Sequence, residues 1–261
     1  IKFIENFNNT NTKVFVVPFD SQVNGTSGFE NMMHSESFNR LSSYINNLEA
    51  VGGTNLGDSF RIAYHTLLEK GNDEAKKHIV VLTDGDPTFY TFTGTVGRSN
   101  FKYYTGEGIV GDVGGVKINS SNDYDRGFQY ARLMGELLRS QRTQTGNKKF
   151  NFHIIGFADN SSSLDSKLDE IGEICGADRV PSNKNKHYYK ALTEDDLNEA
   201  YEVISGKITS TIPFGVLHFS ELLPEDVVLT QEAENMLKND YGFEIIKIWE
   251  NGKARIQISG D

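Results

Sequence analysis

Two polar residues stand where a parallel sheet commonly binds its ligands. Asp84 follows the apolar run HIVVLT (78–83), and Thr54 lies in the stretch Gly52-Gly53-Thr54-Asn55, just before a helical pattern. Ligands of parallel α/β sheets bind beyond the carboxyl ends of the strands, where helix N-termini and loop backbones converge. A hydroxyl and a carboxylate are both hard oxygen donors, and Mg²⁺ needs few protein oxygens because it keeps several waters. We therefore expect Thr54 and Asp84 to hold a divalent cation.

The residues after Asp84 are candidates for the rim of this site. Asp86 follows the Asp84-Gly85 turn and could act beside the metal or at the rim. The irregular, Gly-rich segment 88–122 then follows, and it is too long for a routine connection, which predicts a functional loop. Its aromatic side chains could contact a ligand, or they could pack into a small core beneath the loop. The aromatic candidates for ligand contact are Phe89, Tyr90, Tyr103 and Tyr104.

Other motifs in the chain are interpreted as structural. Asp58 lies in the first turn of a helix, where a carboxylate is favourable. The sequence GEGIVG (106–111) fits the dinucleotide fingerprint, but no buried strand precedes it and no helix follows it in the sequence pattern. No Ser-His-Asp or Cys-His arrangement and no nucleophile elbow can be assembled from the sequence. We therefore expect a protein that is not an enzyme.

Hydrophobic periodicity predicts the elements that position these residues. The short, β-branched apolar runs KVFVVPF (13–19), HIVVLT (78–83) and FNFHIIGF (150–157) predict buried strands. Apolar residues at three- and four-residue intervals predict helices between and after them. These apolar stripes are Phe38, Leu41, Tyr44, Ile45 and Leu48; Phe60, Ala63, Tyr64 and Leu67; Tyr130, Leu133, Met134 and Leu137; and Leu164, Leu168, Ile171 and Ile174. The predicted fold class is α/β, a doubly wound, mostly parallel sheet with helices on both faces.

The α/β pattern continues to about residue 205. A short strand is expected near HYYKAL (187–192), and a helix is expected from Glu194 to about Ser205. The sequence Thr193-x-x-Asp196 predicts a capping box at the start of that helix.

From Gly206 onward the chain consists of strand-like runs separated by turn residues, which predicts a small β-rich module. The runs are GVLHFSELL, EDVVLT, FEIIKIW and KARIQIS, and Asn251-Gly252 between the last two predicts a hairpin. We therefore divide the chain into an α/β domain over 1–205, with the insertion 88–122, and a β-rich stalk or accessory module over 206–261.

Composition excludes several classes of partner and site. The chain has 261 residues, with 26 basic and 36 acidic side chains and a net charge of −10, which argues against nucleic acid as a partner. No apolar run approaches the ~20 residues of a membrane span. Cys175 is the single cysteine, which excludes an internal disulfide and a cysteine-cluster metal site. The start at Ile1, without an initiator Met or signal segment, leads us to expect an excerpt from a longer protein.

Four stretches resemble the von Willebrand factor A-type domain, a family that includes integrin inserted domains and the adhesins at the tips of Gram-positive pili. They are VFVVPFDS, VGGTNLGDSF, HIVVLTDGDPT and FHIIGFADN, in the family's order. In that family a metal-ion-dependent adhesion site is made from an Asp-x-Ser-x-Ser after the first strand, a Thr and an Asp. The resemblance places Thr54 in the second role and Asp84 in the third, with Mg²⁺, Mn²⁺ or Ca²⁺ as the ion. It implies an extracellular, cell-surface or cell-wall-anchored adhesin whose metal binds a carboxylate of a protein or extracellular-matrix ligand.

The family's first motif is not found near the N-terminus of this sequence. FIENFNNTNTKVFVVPFDS is interpreted as the end of the family's first helix followed by its second strand. A literal match, Asp159-Asn160-Ser161-Ser162-Ser163, follows the IIGF strand and is interpreted as a turn that caps the next helix. We therefore expect the first strand either upstream of Ile1 or on another polypeptide or cleaved piece, because a sheet without its central strand would bury an unpaired gap.

Two other functions remain open at this point. The chain could be a structural or assembly module of a surface appendage, with an incomplete or non-functional metal site and with contacts made by the segment 88–122. It also resembles intracellular A domains that partner ATPases in metal insertion or complex assembly, although the β-rich tail and the Thr-, Asn- and Tyr-rich surface argue against that reading.

Overall fold

The chain forms two compact units, Ile1–Thr209 and Ser210–Asp261. The computed structural model describes residues 1–49, 51–71, 75–120, 125–157, 162–210, 219–222, 230–239, 244–250 and 253–259. Among these residues, none of the helices combines the length and the apolar character needed to cross a bilayer.

The first unit alternates helices with strands. Its helices are α1 (Lys2–Glu5), α2 (Ser35–Asn46), α3 (Leu56–Glu69), α4 (Arg126–Ser140), α5 (Ser162–Cys175) and α6 (Glu194–Ser210). Its strands are β1 (Lys13–Val14), β2 (Glu30–Asn31), β3 (Lys77–Thr83), β4 (Phe89–Thr93), β5 (Lys102–Tyr103), β6 (Val116–Ser120), β7 (Phe150–Phe157) and β8 (Tyr189–Ala191).

A parallel sheet with the order β3-β7-β8 lies at the centre of the first unit. β3 and β7 pair from Lys77↔Phe150 to Thr83↔Gly156, and β7 continues into its pairing with β8. Parallel neighbours need a crossover, and helices provide it here, as expected from the α/β alternation. The carboxyl ends of β3 and β7 therefore share one edge of the sheet, and Asp84 begins the loop at that edge.

Helices cover both faces of this sheet, which confirms the predicted fold class. On one face, side chains from β3 and β7 pack with α3, α4 and α5, and the opposite face packs with α2 and α6. The first core includes Phe60, Ile79, Val81, Met134, Phe152, Ile154 and Leu168, and the second includes Leu41, Ile155, Tyr189, Ala191 and Ile204. Burying a large apolar side chain contributes roughly 1.5–3 kcal/mol, so these two layers supply much of the stability of the unit.

The predicted helical stripes are found in α2, α3, α4 and α5, with one exception. Leu48 lies beyond the end of α2 and is exposed. The capping box at α6 is confirmed, since Asp196 N–H donates to Thr193 Oγ1 at 3.1 Å and Thr193 N–H donates to Asp196 Oδ2 at 2.9 Å.

The strand expected over 13–19 is wrong in its extent and in its partner. Only Lys13–Val14 forms a strand, and it pairs antiparallel with Glu30–Asn31 instead of joining the parallel sheet. The pairing extends to Val16, whose N–H donates to Ser27 Oγ at 2.8 Å and whose carbonyl accepts from Ser27 N–H at 3.0 Å. Pro18 then lacks the N–H that a continuing ladder needs.

The segment 88–122 was expected to be an irregular loop, and this expectation is also wrong. β4, β5 and β6 form a three-stranded antiparallel sheet with the order β5-β4-β6. Phe92 pairs with Tyr103 across this small sheet, and aromatic side chains of the segment pack into the first core. Tyr90 and Phe92 therefore belong to the core of the first unit and not to a separate small core beneath the segment. Residues 121 and 122 lie outside the described part of the chain.

The second unit contains β9 (Phe219–Leu222), α7 (Gln231–Asn239), β10 (Glu244–Glu250) and β11 (Lys253–Ser259). The strands form an antiparallel sheet with the order β10-β11-β9, which confirms that β10 and β11 pair as a hairpin. The helix α7 was not predicted, and it lies between two of the predicted strand-like runs, EDVVLT and FEIIKIW. The turn at Asn251-Gly252 and most of the run EDVVLT lie outside the described residues.

Candidate functional site

Asn55 fixes the loop that carries Thr54. Its side-chain carbonyl accepts from Asp58 N–H at 3.2 Å, so Asn55 caps α3 in the manner typical of Asn at a helix start. Its amide group donates to the Ser21 carbonyl at 3.0 Å and to Thr91 Oγ1 at 3.1 Å, and its own N–H donates to the Asp20 carbonyl at 2.7 Å. Asn55 is fully buried, so the loop before α3 is tied to two neighbouring segments.

Thr54 lies directly beside the loop that carries Asp84. Its carbonyl accepts from Thr88 N–H at 2.9 Å and from Phe89 N–H at 3.0 Å, which joins the two loops through their backbones. Its hydroxyl oxygen would lie 3.0 Å from a Cβ placed on Gly85. The structure thus brings Thr54 next to the residue that follows Asp84.

Asp84 is exposed at the carboxyl end of β3. No described residue donates a hydrogen bond to its carboxylate or pairs with its charge. An exposed carboxylate with both oxygens free and a half-buried hydroxyl on the adjoining loop are both oxygen donors of the kind that a hard cation such as Mg²⁺ prefers. Within the described residues, no group of three or more His, Cys, Asp or Glu side chains is arranged to hold a metal. Thr54 and Asp84 are therefore suited to part of a metal site.

Asp86 is half-buried, and its carboxylate is turned toward α5. Its Oδ2 accepts from Lys167 Nζ at 3.2 Å, and the same ammonium donates to Asp125 Oδ1 at 3.3 Å. Burial acts against the charge of Lys167, but the hydrogen bonds and charges of Asp86 and then Asp125 outweigh burial and raise its pKa. Asp86 Oδ1 is buried and has no hydrogen-bond partner among the described residues.

The four aromatic candidates occupy different environments. Phe89 is half-buried and its ring packs over Gly53, where an added Cβ would lie only 2.3 Å from Phe89 Cε2. Tyr90 is only 1% exposed, so its side chain belongs to the core and offers no surface to a ligand. Phe89 is thus the aromatic residue that the structure places directly against the Thr54 loop.

Tyr103 and Tyr104 are half-buried, and the ring of each contacts a residue on a helix outside the insertion. The ring of Tyr103 stacks on Tyr130 with centroids 5.5 Å apart, and burial raises its pKa. The hydroxyl of Tyr104 donates to the Glu107 carbonyl at 2.5 Å, and its ring lies 4.9 Å from the Arg61 guanidinium. Both residues are therefore partly covered by other residues of the first unit, and each keeps only part of its surface exposed.

Sequence reasoning missed a buried network beneath the site. Asp58 and Arg61, both fully buried, form an ion pair at 2.9 Å, and Asp58 also accepts from Val23 N–H and the Thr91 hydroxyl. Arg61 Nη1 donates to two carbonyls of the GEGIVG turn, Gly106 and Gly108, at 2.7 Å each. The ion pair could have been predicted from the sequence, because Asp58 and Arg61 are three residues apart on one helix. Asp58 is confirmed as a structural residue at the start of α3.

Comparison with known proteins finds similarity to one family over part of the chain. The model of the von Willebrand factor type A domain matches residues 1–102. A crystal structure of the pilus adhesin SpaC from Lactobacillus rhamnosus GG aligns with a TM-score of 0.50 and 12% sequence identity, covering 99% of this chain and 35% of that chain. A second SpaC structure, in an open conformation, aligns with a TM-score of 0.49 and the same identity and coverage. The chain thus spans about a third of the length of these adhesins, and no curated protein matches its sequence.

Proposed function

We propose that this chain, whose residues 1–102 match the von Willebrand factor type A model and whose fold resembles that of a pilus adhesin, is an adhesin-type ligand-binding domain on a cell surface. Thr54 and Asp84 hold a divalent cation, Mg²⁺ with Mn²⁺ or Ca²⁺ as substitutes, as part of a metal-ion-dependent adhesion site. The partner is a protein or extracellular-matrix ligand that offers a carboxylate, and the domain acts by binding without catalysis.

The observation that carries this proposal is the position of the Thr54 hydroxyl next to Gly85, the residue that directly follows Asp84, whose carboxylate is exposed and has no partner among the described residues. A carboxylate that no described residue satisfies is available to a cation from solvent. The donor types also suit the ion, because Mg²⁺ prefers oxygen ligands and is commonly bound through one or two carboxylates.

The protein's own residues hold these two donors in place. The Thr54 carbonyl is fixed by two backbone N–H groups, and Asn55 anchors the same loop to α3 and to Thr91. When bound, the cation supplies a Lewis-acidic position for one more anionic oxygen, since few charged protein oxygens surround it. Phe89 and the Asp86 side of the loop form the adjoining rim, where a ligand would make its further contacts.

The remaining metal ligands, in this proposal, come from a serine-rich loop that follows a further strand of the sheet. β3 pairs with β7 along one edge, and no described strand pairs with its other edge. In the extended segment after β1, Phe15 and Phe19 pack against the first core while Val16 packs against the second. This alternation is typical of a strand within a sheet, so a strand from the same or another polypeptide can pair between that segment and β3.

Intact-mass measurement and N-terminal sequencing of the folded protein test the source of that strand. A companion peptide, or a chain that extends before Ile1, supports the proposal. Folded protein that contains only the chain from Ile1, with no companion, would remove it.

Adhesion assays test the function itself. We expect binding to immobilised extracellular-matrix proteins to be lost in EDTA, to return with Mg²⁺ or Mn²⁺, and to be abolished by Asp84→Ala. Asp112→Ala is the matched control, because Asp112 is also an exposed acidic residue and lies in the insertion. Binding that is unchanged both in EDTA and in the Asp84→Ala variant would contradict the metal-bridge mechanism.

A second candidate function is a structural or assembly module of a surface appendage. It is favoured by the lack of any three-residue acidic or histidine metal cluster in the described part of the chain. In that case the insertion would make the contacts and EDTA would change neither assembly nor binding. The Asp84→Ala variant would then behave like Asp112→Ala.

A further inference from the structure

We infer that Lys167 is a positioning residue that holds Asp86 away from the proposed metal and so sets the preference of the site for Mg²⁺ over Ca²⁺. This inference rests on the proposed function, because it concerns the same cation site at Thr54 and Asp84. It assigns a role to a charged group on α5 that is distant in sequence from both proposed ligands.

Asp86 is the acidic residue nearest to Asp84 along the chain, and it is the candidate for an additional metal ligand. It stands two residues after Asp84, with the small Gly85 between them. One of its oxygens is paired with Lys167 at 3.2 Å, and the other is buried with no partner among the described residues. Its only described counter-charge is therefore the ammonium of Lys167.

Lys167 is held where it can restrain this carboxylate. Its side chain is 19% exposed, and its Nζ also pairs with Asp125 at 3.3 Å and lies 5.8 Å from the centre of the Phe128 ring. Contacts from the loop after β3, from the residue directly before α4 and from α4 itself thus converge on one ammonium. Because that ammonium is anchored by Asp125, Asp86 cannot turn toward a cation without leaving its partner.

The number of carboxylates decides which cation such a site prefers. Ca²⁺ takes six to eight oxygen ligands in flexible geometry, whereas Mg²⁺ demands near-octahedral geometry and keeps several waters. A site whose second carboxylate is held back favours Mg²⁺. Release of Asp86 adds a carboxylate oxygen and favours Ca²⁺.

Titration calorimetry of the intact protein with MgCl₂ and with CaCl₂ separates these cases. Lys167→Met keeps the length of the side chain and removes its charge, and we expect it to raise the ratio of Ca²⁺ affinity to Mg²⁺ affinity by about tenfold or more. Lys167→Arg should restore the wild-type ratio. The double variant Lys167→Met with Asp86→Asn should also return toward it, because the freed carboxylate is gone.

Two results would overturn the inference, and each is distinct from a failure of the proposed function. If Lys167→Met changes both affinities in parallel or leaves both unchanged, Lys167 does not set selectivity. If the double variant keeps the raised ratio, Asp86 is not the released ligand. Failure of the proposed function would instead appear as wild-type protein that binds neither ion, or as binding that survives Asp84→Ala. Thermal unfolding without metal shows whether each variant is folded.

Discussion

Aspartate residues in this chain take opposite roles according to what surrounds them. Asp58 is fully buried and satisfied by Arg61, a backbone N–H and the Thr91 hydroxyl, so it stabilises the fold. Asp84 is exposed and no described residue satisfies its carboxylate. A buried, fully paired carboxylate is a structural residue, whereas an exposed carboxylate without a partner is available to a ligand.

Thr54 offers a single oxygen to the proposed site, and this oxygen can be removed without changing the shape of the side chain. We expect Thr54→Val to weaken Mg²⁺ binding by at least about tenfold, which corresponds to about 1.4 kcal/mol. Thr54→Ser keeps the hydroxyl and should bind within about threefold of wild type. Calorimetric titration with MgCl₂ measures both, and equal affinities for the Val and Ser variants would remove Thr54 from the site.

At the scale of elements, Arg61 locks the insertion onto α3. Its guanidinium pairs with Asp58 and donates to the Gly106 and Gly108 carbonyls, so one buried side chain joins the helix that follows the Thr54 loop to the turn before β6. This attachment holds the small sheet in a fixed position beside the candidate site.

Arg61→Met should destabilise the first unit strongly, because it leaves the buried Asp58 without its counter-charge. Breaking a buried pair in this way costs roughly 3–5 kcal/mol. The exposed Arg98→Met is the matched control and should leave the free energy of unfolding nearly unchanged. Urea denaturation followed by circular dichroism is the appropriate measurement, since the single tryptophan, Trp249, lies in the second unit. Equal free energies of unfolding for the two variants would show that Arg61 does not hold the insertion on α3.

Helices and strands with a strong periodic pattern of apolar residues could be predicted from the sequence. Strands whose pairing depends on residues distant in the chain could not. The runs at β3 and β7 and the α3 stripe were sufficient to place Asp84 and the Thr54 loop near one sheet edge. The run 13–19 has the composition of a buried strand, but strand pairing depends on a neighbour, and its described neighbour is the 27–31 segment. The insertion was read as a loop because its turns are glycine-rich and its strands are short, although Phe92 and Tyr103 pair across it.

At the scale of the whole molecule, two histidines make the stability of the first unit depend on pH. His78 and His153 lie on the neighbouring strands β3 and β7, and their rings stack with centroids 5.6 Å apart. Burial is the largest cause that lowers the pKa of each histidine from 6.5 to about 4. For His153 the charge of His78 is the next cause. The neutral rings therefore belong to the folded state.

The free energy of unfolding should decrease as the pH falls from 6.5 to about 4, because the unfolded chain binds the proton first. For His153 the pKa shift corresponds to a decrease of on the order of 3 kcal/mol in the free energy of unfolding across that pH range. His153→Gln should flatten the pH dependence measured by urea denaturation between pH 7 and pH 4.5. The exposed His34→Gln is the control, and an unchanged slope in the His153 variant would contradict this assignment.

The most direct test of the central claim is the position of a bound metal in crystals of the intact protein grown with Mn²⁺. Mn²⁺ accepts the same oxygen ligands as Mg²⁺ and can be located by its anomalous scattering. We expect an anomalous peak coordinated by the Asp84 carboxylate and the Thr54 hydroxyl, with the remaining ligands supplied by waters and by the segment that completes the sheet. A peak elsewhere, or no peak in crystals that contain the complete sheet, would contradict it.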